Sequence, residues 1–111
     1  MEILKQFEVE VVRLLAPSIL SKEQMDTVFH EAEFVSYEHS ESGYFLTIKH
    51  PILAEGRTVC SNPTVVGQTG AIDCGFVLFI ENHELTLECH TWGDAALPDG
   101  FREESIHIMA L

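Results

Sequence analysis

Six histidines, three cysteines and 18 carboxylates in a 111-residue chain raise metal binding, thiol chemistry and acid–base work as the first questions. A zinc site needs three or four convergent His, Cys or carboxylate ligands, often at short local spacing. His30, His39, His50, His83, His90 and His107 are scattered instead, mostly one per expected element. Glu88 and His90, two residues apart, share a face if that segment is a strand, and His107 is a third member if the C-terminal segment returns beside them; Cys89 between them faces the other way. Cys60, Cys74 and Cys89 would act as nucleophiles only beside a general base. Each sits in or near an expected strand, where a thiol behaves as a small buried hydrophobe. There is no Gly-x-Ser-x-Gly elbow. Gly67-Gln68-Thr69-Gly70 lacks the lysine of a phosphate loop and the glycine pattern of a dinucleotide site. With so many acids, the pair Glu103-Glu104 is expected by chance. The sequence therefore implies no cofactor, no metal and no catalytic set; a small-molecule ligand is not expected.

The segment 92–104 is more specific. Trp92 stands at a strand end beside Gly93-Asp94, and Leu97-Pro98-Asp99-Gly100-Phe101 forms a turn that presents a proline, nearby acids and an aromatic. Aromatic anchors ringed by charge are used at interface centres. The plainer reading is that Trp92 and Phe101 plug the end of a sheet while the acids solvate the turn.

Charge is the outlying property of the composition: 18 acids against six bases give a formal net charge of −12. Self-repulsion at that level opposes compaction, and solubility needs far less. Residues 1–41 hold nine acids and three bases, residues 42–80 two and two, and residues 81–104 seven and one. A surplus of this size argues strongly against DNA, RNA or an anionic membrane as partner, since phosphate demands Lys and Arg. It suits a basic protein, although ordinary solvated helix and strand surfaces can also carry it.

The elements that must position these residues follow from periodicity. Leu4, Phe7, Val11, Leu14 and Leu15 make one helical stripe over residues 2–15, ended by Pro17. Ser21 with Gln24 forms a capping box for a second helix whose stripe is Met25, Val28, Phe29 and Ala32. From residue 33 the period becomes two. Residues 34–39 and 44–49 flank the turn 40–43 as a hairpin, with Tyr44, Leu46 and Ile48 on one face. A strand at 57–61 is followed by a loop punctuated by Asn62-Pro63, Gly67 and Gly70. Phe76 to Ile80 is apolar on both faces and belongs in the middle of the sheet. After the turn 81–84, Leu85, Leu87, Cys89 and Thr91 face one way and Thr86, Glu88, His90 and Trp92 the other. Residues 105–109 close an edge. Helices followed by strands mean α+β: a single domain over 1–111, with an N-terminal helical hairpin packed on an antiparallel sheet of five or six strands. The opening residues lack a basic, then apolar, leader, and no stretch reaches the ~18 apolar residues of a membrane span. Three cysteines with no CxxC pair fit a reducing cytoplasm.

The stretch GFVLFIENHELTLECHTWGDAALPDGF, within residues 75–104, resembles a pattern recurrent among bacterial immunity proteins of polymorphic toxin and contact-dependent growth inhibition systems. A strand of the type Phe76 to Ile80, a tight turn, a second strand through Glu88, an aromatic-Gly-acid step at Trp92-Gly93-Asp94 and a proline-acid turn at Pro98-Asp99 carry the likeness. Trp92 stands where Tyr is commoner, and Ala96-Leu97 where an aromatic often precedes the proline. The resemblance implies a small cytoplasmic protein that is not an enzyme. It would bind and neutralise a cognate toxin, a nuclease and foremost an RNase, by occluding a basic active-site cleft. The contact residues expected are Trp92, Asp94, Asp99, Phe101, Glu103 and Glu104, with Glu38, Glu41, Glu84 and Glu88 next. Two other classes stay open: a small-molecule-binding or hydrolytic enzyme using Glu88, His90 and His107 on an open sheet face, and an adaptor or chaperone that docks on a basic effector without inhibiting it.

Overall fold

The structure, a computed structural model, describes residues 3–93 and 95–111. It is an α+β fold in which two N-terminal helices lie on a six-stranded antiparallel sheet. Helix α1 spans Gln6–Leu15 and buries Phe7, Val11 and Leu15 along the expected stripe. It starts four residues later than periodicity suggests. The Glu8 carboxylate accepts the Lys5 backbone N–H at 2.7 Å, which fixes Lys5 as an extended cap residue. Helix α2 spans Lys22–Glu31. Its capping box is formed in both directions: Gln24 N–H donates to Ser21 Oγ at 3.1 Å and Ser21 N–H to Gln24 Oε1 at 2.9 Å. Arg13 ties the helices together, pairing with Asp26 at 2.8 Å and lying over the Phe29 ring at 5.0 Å. No helix of the described residues is long and apolar enough to cross a membrane.

The strands are β1 (Glu33–Ser40), β2 (Gly43–Lys49), β3 (Thr58–Thr69), β4 (Ile72–Glu81), β5 (Glu84–Thr91) and β6 (His107–Ala110), in the spatial order β1-β2-β5-β4-β3-β6. The helices cover the face bearing Leu46, Ile48, Phe76, Leu78, Ile80, Leu85 and Leu87, all buried. The central position of β4, its turn into β5 and the edge position of β6 agree with the sequence reading. Asn82 and His83 both take positive φ, 54° and 63°, as a two-residue hairpin turn with right-handed twist requires.

One expectation fails. The loop read from Asn62-Pro63 onward is the second half of β3. The ladder with β4 is interrupted between Cys60 and Val65, and Pro63 sits inside that bulge, where its missing N–H breaks no pairing. Gly67 is a strand residue because the chain packs tightly there: a Cβ would come within 3.1 Å of Phe76, Cys74 and Ile106 side-chain atoms.

After β5 the chain crosses the end of the sheet and is pinned by a buried ion pair. Glu8 is fully buried. Arg102, in the short 3₁₀ turn Phe101–Glu103, donates to both of its oxygens, Nη2 to Oε1 at 2.6 Å and Nε to Oε2 at 2.8 Å. The Tyr44 hydroxyl also donates to Oε2. Burial, then the neighbouring carboxylate, pushes the Tyr44 hydroxyl far above its ordinary range, so it stays a donor. The guanidinium also lies over the Tyr37 and Tyr44 rings, 5.3 and 5.9 Å from their centroids. Removing one partner of such a pair strands a buried charge and costs about 3–5 kcal/mol. Arg102→Met is expected to lower the urea unfolding free energy by that amount; a loss below about 1 kcal/mol, the ceiling for an exposed pair, would show the pair to be dispensable.

Candidate interaction surface

The sheet face turned away from the helices is open. Cross-strand register sets its rows, because directly paired residues point the same way. One row runs Glu38, Phe45, Glu88, Val77 across β1, β2, β5 and β4. The next runs Ser36, Thr47, Thr86, Phe79, Val59 and continues onto β3. A hydroxyl contact of 2.8 Å between Thr47 and Thr86 closes the second row at its centre. Phe45 and Val59 are 41% and 47% exposed, large apolar side chains left on the surface of a small domain. Arg57 lies over the Phe79 ring at 5.5 Å and pairs with Glu81 at 3.1 Å. Phe45, Phe79, Thr86, Glu84 and this Arg57–Glu81 pair line a shallow groove of about 300 Å³.

Trp92 and His90 end the same face. Trp92 N–H donates to the Asp73 carbonyl at 2.9 Å, extending β5 along β4. Both rings lie over Gly75: a Cβ there would stand 2.8 Å from His90 Nε2 and 2.8 Å from Trp92 Nε1. The glycine is what allows an imidazole and an indole to rest on the sheet backbone. His90 Nδ1 is buried there with no hydrogen-bond partner among the described residues.

The expected contact residues fall into two regions. Glu38, Glu84, Glu88 and Trp92 share the open face. Asp99, Glu103 and Glu104 are exposed along the chain that rounds the sheet end, and Glu41 is exposed in the β1–β2 turn beside it. There Leu97 N–H donates to the Glu41 carbonyl at 2.8 Å, Asp99 lies 3.5 Å from His39 Nδ1 and Glu103 pairs with Lys5 at 3.0 Å. Asp94 lies outside the described residues.

Phe101 must be corrected. It is 1% exposed and meets the Phe7 ring edge-on at 6.1 Å, so it plugs the core and is not available to a partner. The trio Glu88, His90 and His107 is not assembled either. His107 is on β6 opposite Gln68 of β3, three strands from β5, roughly 14 Å at ordinary strand spacing. Among the described residues no group of three or more His, Cys, Asp or Glu is placed to hold a metal.

Another groove, of about 550 Å³, opens at the opposite end of the sheet between Glu31, Glu33, Lys49, His50 and His83. Its polar groups are already engaged: Lys49 with Glu33 at 3.5 Å, His50 with Glu31 at 3.2 Å, and His83 Nδ1, donating to the Leu53 carbonyl at 2.7 Å. Phe45, Val59, Arg57 and Phe79 were missed in the sequence reading. The available signal was that Phe45 interrupts the Tyr44, Leu46, Ile48 stripe and must therefore face outward.

Comparison with known proteins gives no match: no family model, curated protein or solved structure is close enough to lend the chain an assignment.

The packing over Gly75 gives a direct test. Gly75→Ala is expected to displace both rings, destabilise the fold by about 1–3 kcal/mol as an overpacked site does, and shift the emission of the chain's one tryptophan. An unchanged spectrum and melting temperature would show that the rings are not held against the backbone.

Proposed function

We propose that this chain is an immunity-type inhibitor: a cytoplasmic protein that binds the basic domain of a cognate toxin, a nuclease and foremost an RNase, and blocks its active-site cleft by bulk and charge. The observation that carries this reading is the pairing of exposed aromatic and aliphatic side chains with carboxylates on a rigid sheet face. Phe45 stands between Glu38 and Glu88, and further acids line the anchored loop at the sheet end. An apolar centre with a charged surround suits a protein partner. A net charge of −12 gives a basic cleft a long-range field to follow, a steering effect of about 10–10³ in association rate. Resemblance of residues 75–104 to immunity proteins points the same way.

Reversing the exposed acids separates the reading from mere solubility. Among the described residues the variant Asp94→Lys, Asp99→Lys, Glu103→Lys, Glu104→Lys breaks two surface contacts, Lys5–Glu103 and His39–Asp99, each of the exposed kind that contributes little, so the fold should survive. Growth competition against cells delivering the cognate toxin is expected to show protection by the parent chain and none by the variant. In vitro affinity for the toxin domain should fall steeply with salt. Protection unchanged by the reversal would remove the loop from the interface. Failure of the parent chain to bind any toxin domain encoded beside it would end the proposal.

A further inference from the structure

The chain's three arginines obey one rule. Arg13 lies over Phe29 and pairs with Asp26; Arg57 lies over Phe79 and pairs with Glu81; Arg102 lies over Tyr37 and Tyr44 and pairs with Glu8. Each guanidinium is held by an aromatic face and a carboxylate together, the combination in which a planar cation gains both ring attraction and directed hydrogen bonds. A fourth platform of this composition exists and has no guanidinium of its own. Phe45 is 41% exposed and is flanked in register by Glu38 on β1 and Glu88 on β5, with adjacent strands about 4.8 Å apart. Neither Glu38 nor Glu88 forms an ion pair among the described residues, whose pairs involve Lys5, Arg13, His39, Lys49, His50, Arg57 and Arg102. Phe45 and the Arg57-loaded Phe79 wall the same groove, so an incoming guanidinium would lie beside one already seated.

We infer that the Phe45 platform is a receptor for an arginine side chain of a protein partner. The guanidinium lies on the Phe45 ring with its N–H groups directed to Glu38 and Glu88. The inference deepens the proposed function by naming the group recognised, but its test does not require a toxin. Acetylated, amidated tri-arginine, tri-lysine and tri-citrulline peptides are titrated into the isotope-labelled full chain at low ionic strength and followed by NMR. Tri-arginine is expected to shift the Phe45 ring and the Glu38 and Glu88 resonances first and to bind more tightly than tri-lysine; neutral tri-citrulline should not bind. Phe45→Leu keeps the apolar volume and removes the ring, and is expected to weaken tri-arginine about two- to fivefold, the size of an exposed cation–π contact. The double variant Glu38→Gln, Glu88→Gln provides an independent arm, since Glu38 is exposed, Glu88 is only half-buried and the exchange keeps their shape, and should abolish the preference for arginine. The inference is overturned if Phe45 resonances stay still while those of Glu103 and Glu104 move, if tri-lysine does as well as tri-arginine, or if Phe45→Leu binds unchanged. Arginine binding without toxin protection would sink the immunity reading alone; protection without arginine selectivity at Phe45 would sink only this site.

Discussion

Glu8 is a carboxylate removed from water in a domain with few bases to spare, and most of the tertiary arrangement is what makes that tolerable. Its two oxygens accept from the guanidinium of Arg102, the hydroxyl of Tyr44 and the backbone of Lys5, so a helix, a sheet strand and the C-terminal loop must all be in place before the charge is compensated. An isolated buried carboxylate would cost several kcal/mol, and a pair this well coordinated offsets that penalty more than it adds stability. Its value is geometric. It sets where α1 begins and brings residue 102 against residue 8. With Phe101 packed on Phe7 beneath it, it fixes the path of an otherwise irregular segment that carries the loop carboxylates.

The two faces of the sheet then divide the work. One is sealed by α1 and α2 and holds nearly all of the core. The other is left with Phe45, Val59 and Trp92 in the open and Val77 and Phe79 half-buried, while acids stand among them at register positions where a purely solvated strand would place mixed polar residues. Like charges opposite one another across strands destabilise a sheet, and here Glu38 and Glu88 are separated by a ring. A surface built this way is adapted to contact more than to solubility, which is why the charge surplus and the exposed apolar groups are best explained together.

Much of this could be read from the chain alone, and the limits are instructive. Periodicity and capping residues located both helices and most strands, because Ser21–Gln24 and the alternation around Tyr44 and Leu85 act locally. β3 escaped because a bulge accommodates a proline that, locally, signals a loop; only the ladder with β4 makes it a strand. For Phe101 the sequence leaves both an exposed anchor and a plug of the sheet end open, because nothing local reveals that its packing partner is Phe7, 94 positions away. The open face was anticipated from Glu88, His90 and Trp92, but Phe45 and Arg57 became meaningful only when register placed them beside residues from other hairpins. Glu8 is one of 18 acids in the sequence; its burial depends on Arg102, a pairing no short-range pattern can reveal.

The strand order has a temporal corollary. The β1–β2 hairpin joins the rest of the sheet only along β2–β5, whose paired residues run from Gly43 with His90 to Lys49 with Glu84, while α1, first in the chain, lies against β3, β4 and β6. Neither half of the polypeptide is self-sufficient, and contacts of such long sequence separation belong to slow folders. During synthesis α1 must wait, its Glu8 without the guanidinium, until Arg102 has left the ribosome; a nascent chain stalled before Arg102 has β1 to β5 and still lacks that partner.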